Sequence, residues 1–356
     1  MRYLTTVLAL CAMALPVTSR HACAADQTAS PPYPPSPVIA GVTFDQSTWI
    51  KAAPGSDQFG TTWAADDNLY LAWGDGGGFG GTNSLGRASL GVGRLEGLPP
   101  QWQGVNVWGG VNPLSRQPPI PGKTSSGVVC VAGALYLYVS EQGVWTNNRL
   151  WKSTDLGRMW TELGPVFREP GKAFADPGII QFGRDYQGAR DNYVYGYSEE
   201  PWPTALGLFR VPQDRLADRS AYEFFAGFDD DKPLWTPDIT QQKPVFTDPN
   251  GTEWGVTCVH HPVLKRYLLA VRHAGDSGEW GLFDAPEPWG PWTTVAYGKD
   301  FPEWTCTPDP KGASKGRPAW LHTFPAKWIS EDGKTLWHLS DRGDQLNLMR
   351  VTLQFR

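Results

Sequence analysis

The chain is short of cysteine, of clustered basic charge, of long apolar runs and of helical periodicity, and each shortage closes off a class of protein. Of five cysteines, two fall within the first 25 residues, leaving Cys130, Cys258 and Cys306. Three cannot form a disulfide framework; one pair is the most they could make, and small buried thiols are the plainer reading. Lys and Arg number 31 against 36 Asp and Glu, a formal net charge of −5. Phosphate binding needs clustered Lys and Arg, so nucleic acid is not an expected partner. The apolar run Leu4–Pro16 is too short to cross a bilayer, and nothing later is long and apolar enough, so no membrane span is expected.

That same run carries the localisation signal. Arg2 supplies a positive charge, the apolar stretch follows, and Ala22-Cys23-Ala24 has the A-x-A form of a cleavage site. Together these read as a secretory signal peptide over residues 1–25, with a secreted or periplasmic destination. Cys23 lacks the apolar residue before it that a lipoprotein site would want. Residues 26–37, including Thr28–Pro37 (TASPPYPPSP), read as a Pro-rich extended linker without core-forming capacity. One domain over 38–356 is left.

What the chain has in plenty is Trp, Gly and Pro: 18, 40 and 32 residues. Wide flat rings fill the gaps between stacked sheets, and exposed rings in clefts stack on sugars. From Val38 onward, short β-like runs alternate with Gly, Pro, Asn and Asp; Gln213–Ala221 alone allows a turn or two of helix. Five times the chain repeats an inner run, a turn, an aromatic-rich second run, a loop and a third run. Examples are Gly127–Val131, Leu135–Val139 and Arg149–Lys152, then Gly178–Phe182, Asn192–Tyr197 and Leu206–Val211. The last copy lacks an outer strand, which Val38–Phe44 would supply by closing a ring. The expected fold is therefore an all-β, five-bladed β-propeller of the glycosidase type, closed by an N-terminal strand, although the irregular spacing leaves four or six blades open. A closed propeller can stand alone as a monomer.

Local motifs sort the acids. Ser153-Thr-Asp155-Leu-Gly157-Arg-Met-Trp160 fits S-x-D-x-G-x-x-W, the Asp-box of sialidase-like propellers, where Asp caps a tight outer turn. Asp155 is thus structural, as is Asp332 in an Asp-Gly hairpin turn. In a propeller, the approach to each innermost strand and the loop after each second strand share one face. Asp57, Lys123 and Asp176 take the first kind of position. Asp75, Glu141, Glu199, Glu200, His273, Asp276, Asp341 and Arg342 take the second. Asp284 and His260-His261 fall on the far face, so a metal role for the histidines is disfavoured. Trp73–Gly81 reads as a flexible glycine loop with Asp75 at its root, whose glycines let backbone approach a ligand.

Glycosidic cleavage needs two carboxyls in different protonation states. Glu199 and Glu200, between Tyr197 and Trp202, suit a raised pKa and the proton donor. Asp57 and Asp176 suit the base and electrostatic support. The candidate catalytic residues are therefore Asp57, Asp176 and Glu200. Asp75, Lys123, Glu199, Trp202, His273 and Arg342 are the candidate substrate contacts. No ligand set names a metal or cofactor, although a structural calcium ion is compatible with such a channel.

Phe174-Ala-Asp176-Pro177 resembles the A-D-P opening that carries an essential aspartate in arabinanase and xylosidase five-bladed propellers. Trp63–Tyr70, Trp73–Gly76, Gly188–Tyr195, Arg210-Val-Pro212, Ala221–Gly227, Leu264–Leu268 and Trp289–Trp292 together resemble the bacterial family catalogued as domain of unknown function 4185. The likeness spans roughly Asp57 to Phe355. It implies a five-bladed propeller, and some relatives are endo-acting D-arabinan hydrolases. An exported glycoside hydrolase acting on a polymer, such as an arabinan or another furanoside, is the leading expectation. A non-catalytic sugar-binding propeller and a polysaccharide lyase, the latter leaning on His273 with nearby Tyr, are the alternatives.

Overall fold

The computed structural model describes residues 30–124, 127–141, 147–168, 174, 176–199, 202–253, 255–275, 278–299 and 319–356. Among them there is no α-helix. The helix allowed at Gln213–Ala221 is a single 3-10 turn, Arg219–Ala221, capped by Asp218 on the Ser220 amide. No helix among the described residues is long and apolar enough to cross a membrane.

The strands fall into antiparallel meanders. β1 (Ile39–Ala52) comes first in sequence but pairs with the last strand. β2 (Thr61–Trp63), β3 (Leu69–Gly76), β4 (Ala88–Leu98) and β5 (Gln101–Trp108) make one meander. β6 (Val128–Val131), β7 (Ala134–Val139), β8 (Asn148–Ser153) and β9 (Thr161–Phe167) make the second. The third is β10 (Gly178–Gln181), β11 (Tyr193–Ser198), β12 (Ala205–Pro212), β13 (Glu223–Asp229) and β14 (Lys232–Thr236), with β15 (Phe246–Thr247) beside β12. The fourth is β16 (Val256–His261), β17 (Arg266–Arg272), β18 (Glu279–Ala285) and β19 (Thr293–Lys299). The last is β20 (His322–Thr323), β21 (Thr335–Ser340) and β22 (Leu346–Phe355), with β1 outermost. β10 and β16 pair in parallel and join the third and fourth meanders edge to edge.

The first strands converge. β6 and β10 are buried at every position, which explains why they read as unbroken apolar runs with no polar alternation. Gln181 Nε2 donates to Val128 O (3.0 Å), the Cys130 amide to Thr62 Oγ1 (2.9 Å) and Thr323 Oγ1 to Phe59 O (3.4 Å). Gly60, Ile179, Thr257 and Thr323, from four meanders, line one small cavity at this meeting point. Cys130 and Cys258 lie in these strands as buried free thiols.

Between meanders the filling is aromatic. Phe167 stacks on Phe174 at 5.1 Å and meets Phe209 at 5.3 Å, and Trp108 meets Trp160 at 5.7 Å. Much of the tryptophan is therefore packing. The Asp-box behaves as its sequence predicts. Asp155 Oδ1 accepts from Ser153 Oγ and from the amides of Arg158 and Met159, while Trp160 Nε1 donates to Gly157 O. His261 is likewise structural, bonded to Gly333 O (2.8 Å) and the Leu264 amide (3.1 Å), and His260 stacks on Phe182.

Two expectations need correction. The glycine loop after Trp73 is clamped, because buried Asn106 accepts from the Phe79 amide and donates to Phe79 O and Val111 O. A Cβ at Gly78 would stand 2.5 Å from the Trp73 ring, so glycine is there to let the chain pack on itself. The Pro-rich stretch, in turn, docks from Tyr33 onward. The Tyr33 ring lies 5.2 Å from Phe246, its hydroxyl accepts from the Thr247 amide, and the Thr294 amide donates to Pro34 O. An aromatic among the prolines is enough to anchor them.

The Asp-box separates packing from turn capping. Trp160→Ala empties a buried site beside Trp108 and is expected to cost about 3–5 kcal/mol. Asp155→Ala leaves amides that water can reach and should cost about 1 kcal/mol. Urea denaturation of the two variants measures the difference.

Candidate active site at the mouth of the first strands

In four meanders the residue leading into the first strand is held by the end of the second. The Asp57 and Gly74 backbones exchange two hydrogen bonds (3.1 and 2.8 Å), and those of Lys123 and Ser140 do the same (3.2 and 2.8 Å). The Glu253 amide donates to Arg272 O (3.0 Å). In the last meander the Trp320 and Leu321 amides donate to Asp341 Oδ1 (2.6 and 3.0 Å). Register thus ties the approach to each of these first strands to the end of the second.

A belt of polar contacts runs around these approaches. Arg272 stacks over the Trp320 ring at 4.5 Å, with its Nη1 lying 3.5 Å from Glu253 Oε2, and the Gly275 amide also donates to that oxygen (2.9 Å). Asp341 is wholly buried, and its second oxygen accepts from the Gln58 amide (2.8 Å), which couples the last meander to the first. Beside Gln58 sits Asp57. Farther round, Asp75 pairs with Lys123 from the second meander, and Arg87 Nη2 lies 3.3 Å from Asp75.

Asp57 stands apart chemically. Its Oδ1 is buried without a hydrogen-bond partner among the described residues. Gly74 leaves room for it, since a Cβ there would stand 2.6 Å from that oxygen. Burial, followed by the negative charges of Asp341 and Asp75, pushes the Asp57 carboxyl up to about 7; Lys123 pulls the other way and Asp344 adds to the rise. Burial also raises Asp341, to about 6, against the pull of its three backbone donors. Below the mouth, His322 Nδ1 meets His338 Nε2 at 3.1 Å, and Trp280 stacks on His322 at 4.1 Å. Burial lowers both histidines, His338 to about 3, so the pair is neutral.

Asp176, which leads into β10, is 5% exposed. Its following Gly178 is required, because a Cβ there would overlap the Val256 carbonyl across the parallel β10–β16 pair. Glu199 is half-buried, and its carbonyl accepts from the Trp202 amide (2.9 Å). Arg342 is half-buried in the loop after β21, where its carbonyl accepts from Asn347 (2.9 Å). Glu200 and Asp276 lie outside the described residues.

His273 is a correction. It is 2% exposed, 3.2 Å from Asp248 Oδ2 and packed on the Tyr297 ring at 4.6 Å, so it braces the wall and does not meet a substrate. Burial alone would raise Asp248, but bonds from His273, the Asn250 amide and Tyr297 together hold it below its ordinary value. The proton donor expected at Glu200 lies outside the described residues; among those described, Asp57 is a carboxyl raised by burial first and then by the charges of Asp341 and Asp75. Glu253 was missed by sequence reasoning. The signal was present, since Thr252-Glu253 precedes a buried first strand just as Asp176 does.

Antiparallel meanders whose first strands converge, with Asp57, Lys123 and Glu253 at the approaches to three of them, define an all-β protein. The same fold occurs in a protein of Bacteroides ovatus described as a hydrolase, with a TM-score of 0.53 and 10% identity over 84% of this chain and 86% of that one. An α-L-arabinofuranosidase of Podospora anserina matches with a TM-score of 0.48 and 10% identity, over 85% of this chain and 92% of that one. A family 117 glycoside hydrolase of Zobellia galactanivorans matches with a TM-score of 0.46 and 11% identity, over 88% and 90%. No curated protein sequence matches. Residues 126–305, just over half of the chain, match the family described as Domain of unknown function (DUF4185), and the chain belongs to that family.

The raised Asp57 has a thermodynamic signature. A folded value near 7 against an ordinary 3.8 means the folded state keeps a proton that the unfolded chain has released. Stability therefore falls as pH rises from about 4 to about 7. Asp57→Asn should melt higher than the parent at pH 8, on the order of 2 kcal/mol, and gain little at pH 4. Asp341→Ala strands three amides and should cost about 3 kcal/mol or more at either pH, read by thermal unfolding.

Proposed function

We propose that the protein is an exported glycoside hydrolase that cleaves a polysaccharide at the mouth of a five-bladed β-propeller. The meanders serve as blades, β1 closes the ring on β22, and residues 1–25 are the export signal. The observation that carries the reading is the Asp57 carboxyl, buried, unpartnered at Oδ1 and held up to about 7, on the face it shares with Asp176 and Glu253. A carboxyl with a raised pKa that shares a face with further carboxyls is what glycosidic bond cleavage requires. Asp57 donates its proton to the leaving oxygen. Glu253, held by Arg272, is the second carboxylate, which directs a water onto the anomeric carbon as the leaving oxygen departs, and Asp176 supports the cationic transition state. Asp75, Lys123, Glu199, Trp202 and Arg342 are the substrate contacts. Arabinan or another furanoside is the substrate class that the family resemblance favours.

The lyase alternative asked His273 to act as a base. Its burial against Asp248 and Tyr297 speaks against that role.

The test incubates purified protein with a polysaccharide panel that includes D- and L-arabinans and chromatographs the products. Oligosaccharide release from one polymer is expected, with kcat/KM falling as pH rises through about 7, because the donor must be protonated. Asp57→Asn and Glu253→Gln should each lose at least about a hundredfold. Full activity in Asp57→Asn, or a rate that climbs through pH 7, overturns the assignment.

A further inference from the structure

A groove of about 520 Å³ lies on the second meander, bounded by Trp151, Arg149, Glu162, Glu141, Asn147 and Arg168. This volume falls within the range of about 300–1,000 Å³ typical of small-molecule sites. Its inner end lies next to the approach to β6, because Ser140 lines the groove and exchanges backbone hydrogen bonds with Lys123, the partner of Asp75.

The chemistry of the lining is specific. Trp151 is half-buried, packed on one side against the core between the first two meanders. Across the strand pair it faces Glu162, which is held by the Arg149 guanidinium. Asn147 Nδ2 donates to Glu141 Oε2 (2.6 Å), fixing a second donor–acceptor pair at the rim. An aromatic face flanked by fixed donors and acceptors suits a ring that is apolar on its face and hydroxylated at its edge. Arg149 and Arg168 balance Glu141 and Glu162, so the groove has no net charge with which to select an acidic polymer.

We propose that this groove is an accessory subsite for a neutral stretch of polysaccharide extending outward from the mouth. The inference rests on the glycoside hydrolase reading and adds a direction to it: the chain leaves the mouth across the second meander and its sugars stack on Trp151. Such a subsite rewards long substrates over short ones.

The test uses Asp57→Asn protein, which holds substrate without turnover, and titrates arabinan- and xylan-derived oligosaccharides of increasing length by calorimetry. Affinity should climb with length for one series. Adding Trp151→Ala should cut the ratio of long-chain to short-chain affinity by about tenfold, the loss of one stacking contact. Arg149→Ala, a change in an exposed ion pair that the fold tolerates, should lower the same ratio and guards against a Trp151 variant that folds poorly. If both variants keep the parent's length dependence, the subsite is overturned while the hydrolase reading stands. If no oligosaccharide of any length binds, and the parent cleaves none, both fall together.

Discussion

Asp341 is the contact on which the mouth depends. Its carboxylate is wholly buried and takes three backbone hydrogen bonds, from Gln58 in the first meander and from Trp320 and Leu321 in the last. A buried carboxyl is costly unless it is satisfied, and here its donors come from opposite ends of the chain. The same charge that joins those ends also sits beside Asp57. Tying the last meander to the first and helping burial to raise the Asp57 carboxyl are two effects of one group.

Carboxylates in this protein take their roles from their surroundings. Asp155 faces amides and caps a turn. Asp248 faces a histidine, an amide and a tyrosine and is held charged inside the wall. Asp284 is locked to Arg266 on the far side. Among the described residues Asp57 has no such donor at Oδ1, and burial, followed by the charges of Asp341 and Asp75, raises it. The chemistry of the mouth follows from where donors are withheld.

Backbone register places these groups. A residue that leads into a first strand is tied to the end of the second strand, so Asp57, Lys123 and Glu253 point to one face without individual arrangement. Glycine makes the close approaches possible: Gly74 clears space for Asp57, and Gly178 for the parallel joint between β10 and β16. Aromatic stacking between meanders then holds the register rigid.

Much of this was legible in one dimension. Short β-like runs, turn residues and the Asp-box specify strands and turns through local backbone preference, and the outer strand near Val38 was visible as the missing piece of the last repeat. The positions of Asp57 and Lys123 at the approach to a first strand, tied to the end of the second, followed from meander connectivity. Glu253 was readable by the same rule and was passed over. The protonation of Asp57, the burial of His273 behind Asp248 and the groove beside Trp151 were not readable. Each depends on desolvation or charge contributed by segments far away in sequence, and those acquire a value only when the chain has folded and water has been excluded. Local preference determines which strands form, whereas the distances between remote carboxyls, and hence which acid keeps a proton, exist only in the tertiary structure.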